Sequence, residues 1–419
     1  MTSIPASVFR SDGIGGLSCL GALSFASSRL ALAQALVVFS FVWPFFNYQL
    51  IDPLSLTEIN FLPVFLAALL LPEVALRERR SLLLAMPAFA VALIWANPTA
   101  PMRLAVGIVP LHFVLNLTRH LRERGRELIP PNLGYRCLQV FVVFCMVQTV
   151  HFTLFPVIPE WFITALMTVL PRFLAAPYDN SGIRGVQGWA SEPSSAALTC
   201  IAFSLVAIED RPERRWRVLA LFAFLSLMNK SVYSLLLFIL LGLCCLFTLR
   251  RKLHSLLAIV PMSLAVLFYM ESSGRIAELY GNLLVNGVNR EVNPELMRFA
   301  QMLYPLEYFP KVYQPAALFG SALREPIGLL PLVAGYGSLA GLAWLAWMLV
   351  HNPPPRMAGM RPMALLAALV LLLLTTPDLI PSVVALAVFL VPRTRQPVRG
   401  ESSRSCSVKD ATSVAGGNR

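Results

Sequence analysis

Residues 232–252 read VYSLLLFILLGLCCLFTLRRK. From Val232 to Leu249 there is no charge and no polar/apolar alternation, and the run stops abruptly at Arg250-Arg251-Lys252. An uncharged block of this kind reads as a helix in lipid, and the cations behind it read as an anchor on one side of a membrane. The same pattern recurs along the chain. Apolar blocks run from about Leu30 to Phe46, Ile59 to Leu76, Ser81 to Ala96, Arg103 to Leu117 and Leu138 to Phe155. Further blocks run from about Ser194 to Ile208, Val218 to Leu227, Leu253 to Met270 and Pro326 to Val350. The last, Met363 to Val391, is split by Thr375-Thr376-Pro377-Asp378.

Composition agrees with this pattern. Only 13% of residues are charged and 57% are hydrophobic, whereas a soluble domain carries about 25% charged residues. The mean hydropathy is +0.68. Long blocks without period-2 alternation exclude a membrane β-barrel. The expected fold is all-α: a polytopic integral membrane protein with about 11–12 transmembrane helices and two long periplasmic loops.

Basic residues cluster at 77–80, 119–126, 211–217, 250–252, 356–361 and in the C-terminal tail. With about twelve crossings, all six clusters fall on one side, which the positive-inside rule assigns to the cytoplasm. The net charge of +12 is therefore an orientation signal, and no nucleic-acid partner is expected. The expected organisation is a cytoplasmic tail at 1–28, a transmembrane domain at 29–392 and a disordered cytoplasmic tail at 393–419. The two long loops are 156–191 and 271–325. Within the first, Trp161 to Leu170 is too short to cross and reads as a re-entrant or interfacial helix.

Few residues offer chemistry. The seven cysteines show no metal-ligand spacing and read as packing residues. His112, His120, His151, His254 and His351 form no HExxH-type pattern, so neither a metal nor a cofactor is expected. No Walker sequence and no G-x-S-x-G elbow is present. The first loop ends in Arg184-Gly185-Val186-Gln187-Gly188-Trp189-Ala190-Ser191-Glu192-Pro193-Ser194. Glu192-Pro193-Ser194 is ordinary helix-start chemistry, and Glu192 there could simply complement the helix dipole. Arg184 beside glycines adds a phosphate-shaped fork with room for a close backbone approach. Lys230, between two nearly contiguous apolar blocks, reads either as a snorkelling interface lysine or as a cation aimed at an anionic head group. In the second loop Arg290 and Arg298 are solvated charges or anion ligands. Its Tyr304 and Tyr308 form an interface belt or a platform for sugar rings.

The order Arg184-Gly185, Gly188, Ser191-Glu192-Pro193-Ser194, a helix, and then Asn229-Lys230-Ser231-Val232-Tyr233-Ser234 resembles Wzy-type polysaccharide polymerases of the O-antigen polymerase and ligase superfamily. The likeness spans roughly residues 135 to 350, with Lys230 standing where arginine is usual. The resemblance implies an inverting, metal-independent glycosyltransferase of the bacterial inner membrane that polymerises undecaprenyl-diphosphate-linked oligosaccharide repeat units on the periplasmic face. It implies diphosphate binding by Arg184, Lys230, Arg290 and Arg298. Glu192 would act on the acceptor hydroxyl together with Arg184, and Trp189, Tyr304 and Tyr308 would hold sugar. Expected partners are the lipid-linked glycan, membrane lipids, and chain-length regulator and export proteins. An O-antigen-ligase-type transfer and a lipid-linked sugar transporter, or flippase, remain the alternatives.

Overall fold

The structure is a computed structural model that describes residues 15–43, 61–95, 100–154, 186, 193–247, 252–272, 274, 277, 328–352, 361–374 and 380–391. Among these residues all regular structure is helical. The helices are α1 (Gly15–Val42), α2 (Leu62–Leu70), α3 (Pro72–Ala75), α4 (Arg79–Trp95), α5 (Ala100–Glu123) and α6 (Leu133–Leu154). They continue as α7 (Pro193–Asp210), α8 (Arg215–Asn229), α9 (Val232–Phe247), α10 (Lys252–Ser272) and α11 (Leu329–His351). The last two are α12 (Arg361–Leu369), which runs on into a π turn at Val370–Leu374, and α13 (Ile380–Leu390).

Among the described residues three helices are long and apolar enough to cross a membrane: Pro101–Glu123, Leu133–Val150 and Leu329–His351. Shorter apolar helices cover Ser28–Val42, Tyr233–Leu246, Ile259–Ser272, Arg361–Leu374 and Ile380–Leu390. The block expected from Ile59 to Leu76 is two helices rather than one. Leu71 takes a non-helical φ of −126° and ψ of 63°, because the ring of Pro72 crowds the preceding residue out of the α region. Helix α1 starts at Gly15, within the stretch expected as a tail. There Leu17, Leu20 and Leu23 recur at helical spacing.

Helices α7 and α13 form the centre, and they pack on each other. Every residue of α13 is buried, as is every residue of α7 from Ala196 to Ile208. A helix apolar all round belongs in an interior, and α7 suits close packing because Ser, Ala, Thr and Cys are interspersed among its larger side chains. Gly134 of α6 shows how close: a Cβ there would lie 3.0 Å from the Phe203 carbonyl oxygen and 3.1 Å from the Ala207 nitrogen. Phe41 of α1 meets Phe203 edge-on, with centroids 5.1 Å apart. Helix α6 lies outside this centre and turns Val140, Val143, Val147 and Val150 outward, an apolar stripe suited to lipid rather than water. Cys137, Cys145, Cys200 and Cys245 are buried free thiols in the packing.

One end of the bundle is tied together by cations. Arg77 grips Glu123 through two hydrogen bonds of 2.7 and 2.6 Å, and Arg119 pairs with Glu78 and donates to Asn352 Oδ1 at 2.7 Å. Arg122, only 3% exposed, holds Glu127 at 3.0 Å and Glu209 at 3.2 Å. Its Nη1 also donates to the carbonyls of Val388, at 2.9 Å, and Val391. Asn132 donates its amide to Asp210 at 2.9 Å and accepts from Arg214 at 2.7 Å. The basic segments around 77–80, 119–126 and 211–217 therefore meet at one end, together with the C-termini of α11 and α13.

Arg122 is the node of that end. Replacing it by Met would take the guanidinium away from Glu209 and from two helix-end carbonyls, at a cost of about 3 kcal/mol. The expected result is a clear fall in the unfolding midpoint of the detergent-purified protein, measured beside Arg211→Met as an exposed control. An equal midpoint for the two variants would contradict the role given to Arg122.

Candidate functional site

The turn between α8 and α9, Met228-Asn229-Lys230-Ser231, lies at the end of α8 opposite Arg214 and the basic network. Lys230 closes α8 in the left-handed region, with φ 51° and ψ 24°, and its amide donates to the Ser226 carbonyl at 3.2 Å. A non-glycine residue held there costs about 1 kcal/mol, so a lysine at this position is not the choice that backbone economy makes. The Leu235 amide donates to the Ser231 carbonyl at 3.2 Å. The Ser226 hydroxyl lies 2.9 Å from the Phe222 carbonyl and 3.2 Å from the Ser234 carbonyl, sharing one proton between the two helices. The hairpin is thereby rigid on both sides of Lys230, and Asn229 and Ser231 are buried beneath it.

Lys230 itself is half-buried. Its Nζ sits 5.5 Å from the centroid of the Tyr269 ring, near the end of α10, a cation over an aromatic face. Burial pushes the Lys230 ammonium below the ordinary lysine pKa. A cation in that state gains from an anion brought to it.

A second contact joins this turn to the first long loop. The Val186 amide donates to the Met228 carbonyl at 3.1 Å. Val186 lies two residues after Arg184 and three before Trp189. Val186 itself is partly buried against the core. Arg184, Trp189, Glu192, Arg290, Arg298, Tyr304 and Tyr308 all lie outside the described residues, as does the segment Trp161 to Leu170. Among the described residues no group of three His, Cys, Asp or Glu side chains is placed to hold a metal ion.

Sequence reasoning missed three residues. Tyr269 was hidden as the last aromatic of an apolar block, where an interface belt is the ordinary reading. Arg103, exposed in the first turns of α5, donates to the Tyr336 hydroxyl at 3.3 Å. Its signal was visible as the one charge between Pro101 and Thr118.

Comparison with protein-family models, with curated proteins and with solved structures finds no match.

The lowered Lys230 pKa has a sign that can be tested. As pH rises, the ammonium is lost earlier than in an ordinary lysine, so binding of inorganic diphosphate should weaken on the alkaline side. In Lys230→Arg the guanidinium stays charged and the alkaline weakening should disappear. Superimposable pH profiles for the two proteins would contradict the assignment. Lys230→Gly, which relieves the left-handed backbone, should unfold no earlier than wild type while losing diphosphate affinity.

Proposed function

We propose that the chain is an inner-membrane glycosyltransferase that acts on the outer face, moving a growing glycan from undecaprenyl diphosphate onto another lipid-linked repeat unit. The observation that carries this reading is the Val186–Met228 hydrogen bond. Arg184 is two residues from one partner and Lys230 two from the other, and two residues of chain reach about 7 Å at most. We take Arg184 and Lys230 to act together on one diphosphate, at the Lys230 end of the bundle, away from the basic network. The positive-inside rule makes the basic end cytoplasmic and the Lys230 end periplasmic.

The chemistry suits cations. Diphosphate is a good leaving group, so the bond from the anomeric carbon to the diphosphate oxygen breaks without a strong acid. The negative charge left on that oxygen is stabilised by Arg184 and Lys230. Glu192 accepts the proton of the acceptor hydroxyl as its oxygen bonds to the anomeric carbon. Arg290 and Arg298 would supply further phosphate contacts, and Trp189, Tyr304 and Tyr308 faces for the sugars. Chain-length regulator and export proteins are the partners this reading implies.

A lipid-linked sugar transporter is the second reading, favoured by one feature. Helix α11 is broken at Ser338, with φ 51° and ψ −145°, and interrupted helices mark the ligand sites of many transporters.

Single alanine variants of Arg184, Glu192 and Lys230, expressed to wild-type level, should each lower polymer yield about a hundredfold. They should also leave single repeat units on the outer face. Full-length polymer from all three would refute the site. Repeat units held on the inner face would favour the transporter instead.

A further inference from the structure

Arg103 stands nineteen residues before Arg122 on the same helix, so it lies about 28 Å along the helix axis from the basic network. The hydrocarbon core of a bilayer is about 30 Å thick. With Arg122 at one boundary, Arg103 falls at the other, against the bias that keeps cations on the cytoplasmic side. Among the described residues no carboxylate pairs with it. Its Nη1 instead points to the Tyr336 hydroxyl, 3.3 Å away, while the guanidinium stays exposed.

Tyr336 is anchored, with its side chain 3% exposed. It precedes by two residues the break at Ser338, where α11 leaves helical geometry. The break is wedged against neighbouring helices: a Cβ on Gly337 would meet Ala88 of α4 at 3.0 Å and Leu104 of α5 at 3.7 Å. Ala88 follows Pro87, which lies inside α4. The phenol is therefore fixed by packing, and it aims the guanidinium. A cation at the membrane boundary with a neutral hydroxyl as partner retains its charge and most of its donors for an anion arriving from the side.

We propose that Arg103 and Tyr336 form a binding site for the phosphate group of a lipid in the outer leaflet. The guanidinium fork takes two phosphate oxygens and the phenol adds a neutral donor. The phosphate can come from an anionic phospholipid or from a polyprenyl carrier, and the chemistry at the site is the same. The inference rests on the chain being embedded in a bilayer and not on glycosyl transfer.

The test titrates the purified full chain, in neutral detergent, with fluorescent phosphatidylglycerol, fluorescent polyprenyl phosphate and, as a phosphate-free control, fluorescent diacylglycerol. Arg103→Gln should weaken binding of a phosphate lipid about tenfold, leave diacylglycerol unchanged and be partly rescued by Arg103→Lys. Loss confined to polyprenyl phosphate would identify the carrier as the source, and loss confined to phosphatidylglycerol would identify bulk lipid. Either supports the site. Wild-type affinity of Arg103→Gln for both phosphate lipids, or an equal loss of diacylglycerol, would overturn it. If Arg103→Gln does not fold, Tyr336→Phe, which keeps the packed ring, should still weaken phosphate-lipid binding severalfold, and unchanged binding would overturn the proposal. Arg103→Gln keeps Arg184, Glu192 and Lys230, so its loss of phosphate-lipid binding reports on this site whether or not the glycosyl-transfer reading holds. Release of the chain from membranes by alkaline carbonate without detergent would instead defeat the bilayer premise.

Discussion

The buried guanidinium of Arg122 is the interaction on which the rest depends. Helix α13 lies in the interior, and Leu390 and Val391 at its C-terminal end are buried as well. Helix ends leave their last carbonyls without intrahelical partners, and an arginine there also complements the helix dipole. Arg122 meets the carbonyls of Val388 and Val391 while its other nitrogens hold Glu127 and Glu209. One side chain on α5 thereby fixes α7, α13 and the loop before α6 at a common level. The neighbouring Arg77–Glu123 and Arg119–Glu78 pairs extend the same layer to α4 and α11.

Fixing one end decides what the other can be. Helices α5, α7, α8 and α11 all have one terminus in or beside the basic layer, so their opposite termini form a second end. Among the described residues the arginine and lysine of that end are specific: Lys230 over Tyr269, and Arg103 beside Tyr336. Each cation is held by an aromatic residue rather than neutralised by a carboxylate in these contacts. The Val186–Met228 bond brings Val186 to the same end. The proposed glycosyl transfer and the proposed lipid-phosphate binding at Arg103 would both use this asymmetry: cations paired with carboxylates on one side, cations set beside aromatic rings on the other.

Much of the architecture was legible because it is local. The polar interruption Asn229-Lys230-Ser231 in an apolar run marks the α8–α9 turn, and Thr375-Thr376-Pro377-Asp378 divides the last block between α12 and α13. The basic clusters could be grouped by counting crossings, but their meeting depends on pairs far apart in sequence, such as Arg119 with Asn352. The break at Ser338 was hidden because Leu329–His351 is continuously apolar and hydropathy does not register backbone dihedrals. The split at Leu71 had a signal in Pro72, which an apolar-block reading passes over. Of the site, Lys230 was legible as a cation between two nearly contiguous apolar blocks. Its Tyr269 partner and its link to Val186 come from packing and a single backbone hydrogen bond, which no sequence pattern encodes.

The central claim is that the two ends face opposite sides of a membrane, the Lys230 end outward. The most direct measurement is thiol labelling of intact cells with a membrane-impermeant maleimide, in a chain whose own cysteines are replaced. Ser272→Cys, exposed at the end of α10 near Tyr269, should label in intact cells. Glu213→Cys, exposed beside the basic network, should label only after the membrane is opened. Labelling of both from outside, or of Glu213→Cys alone, would contradict the account.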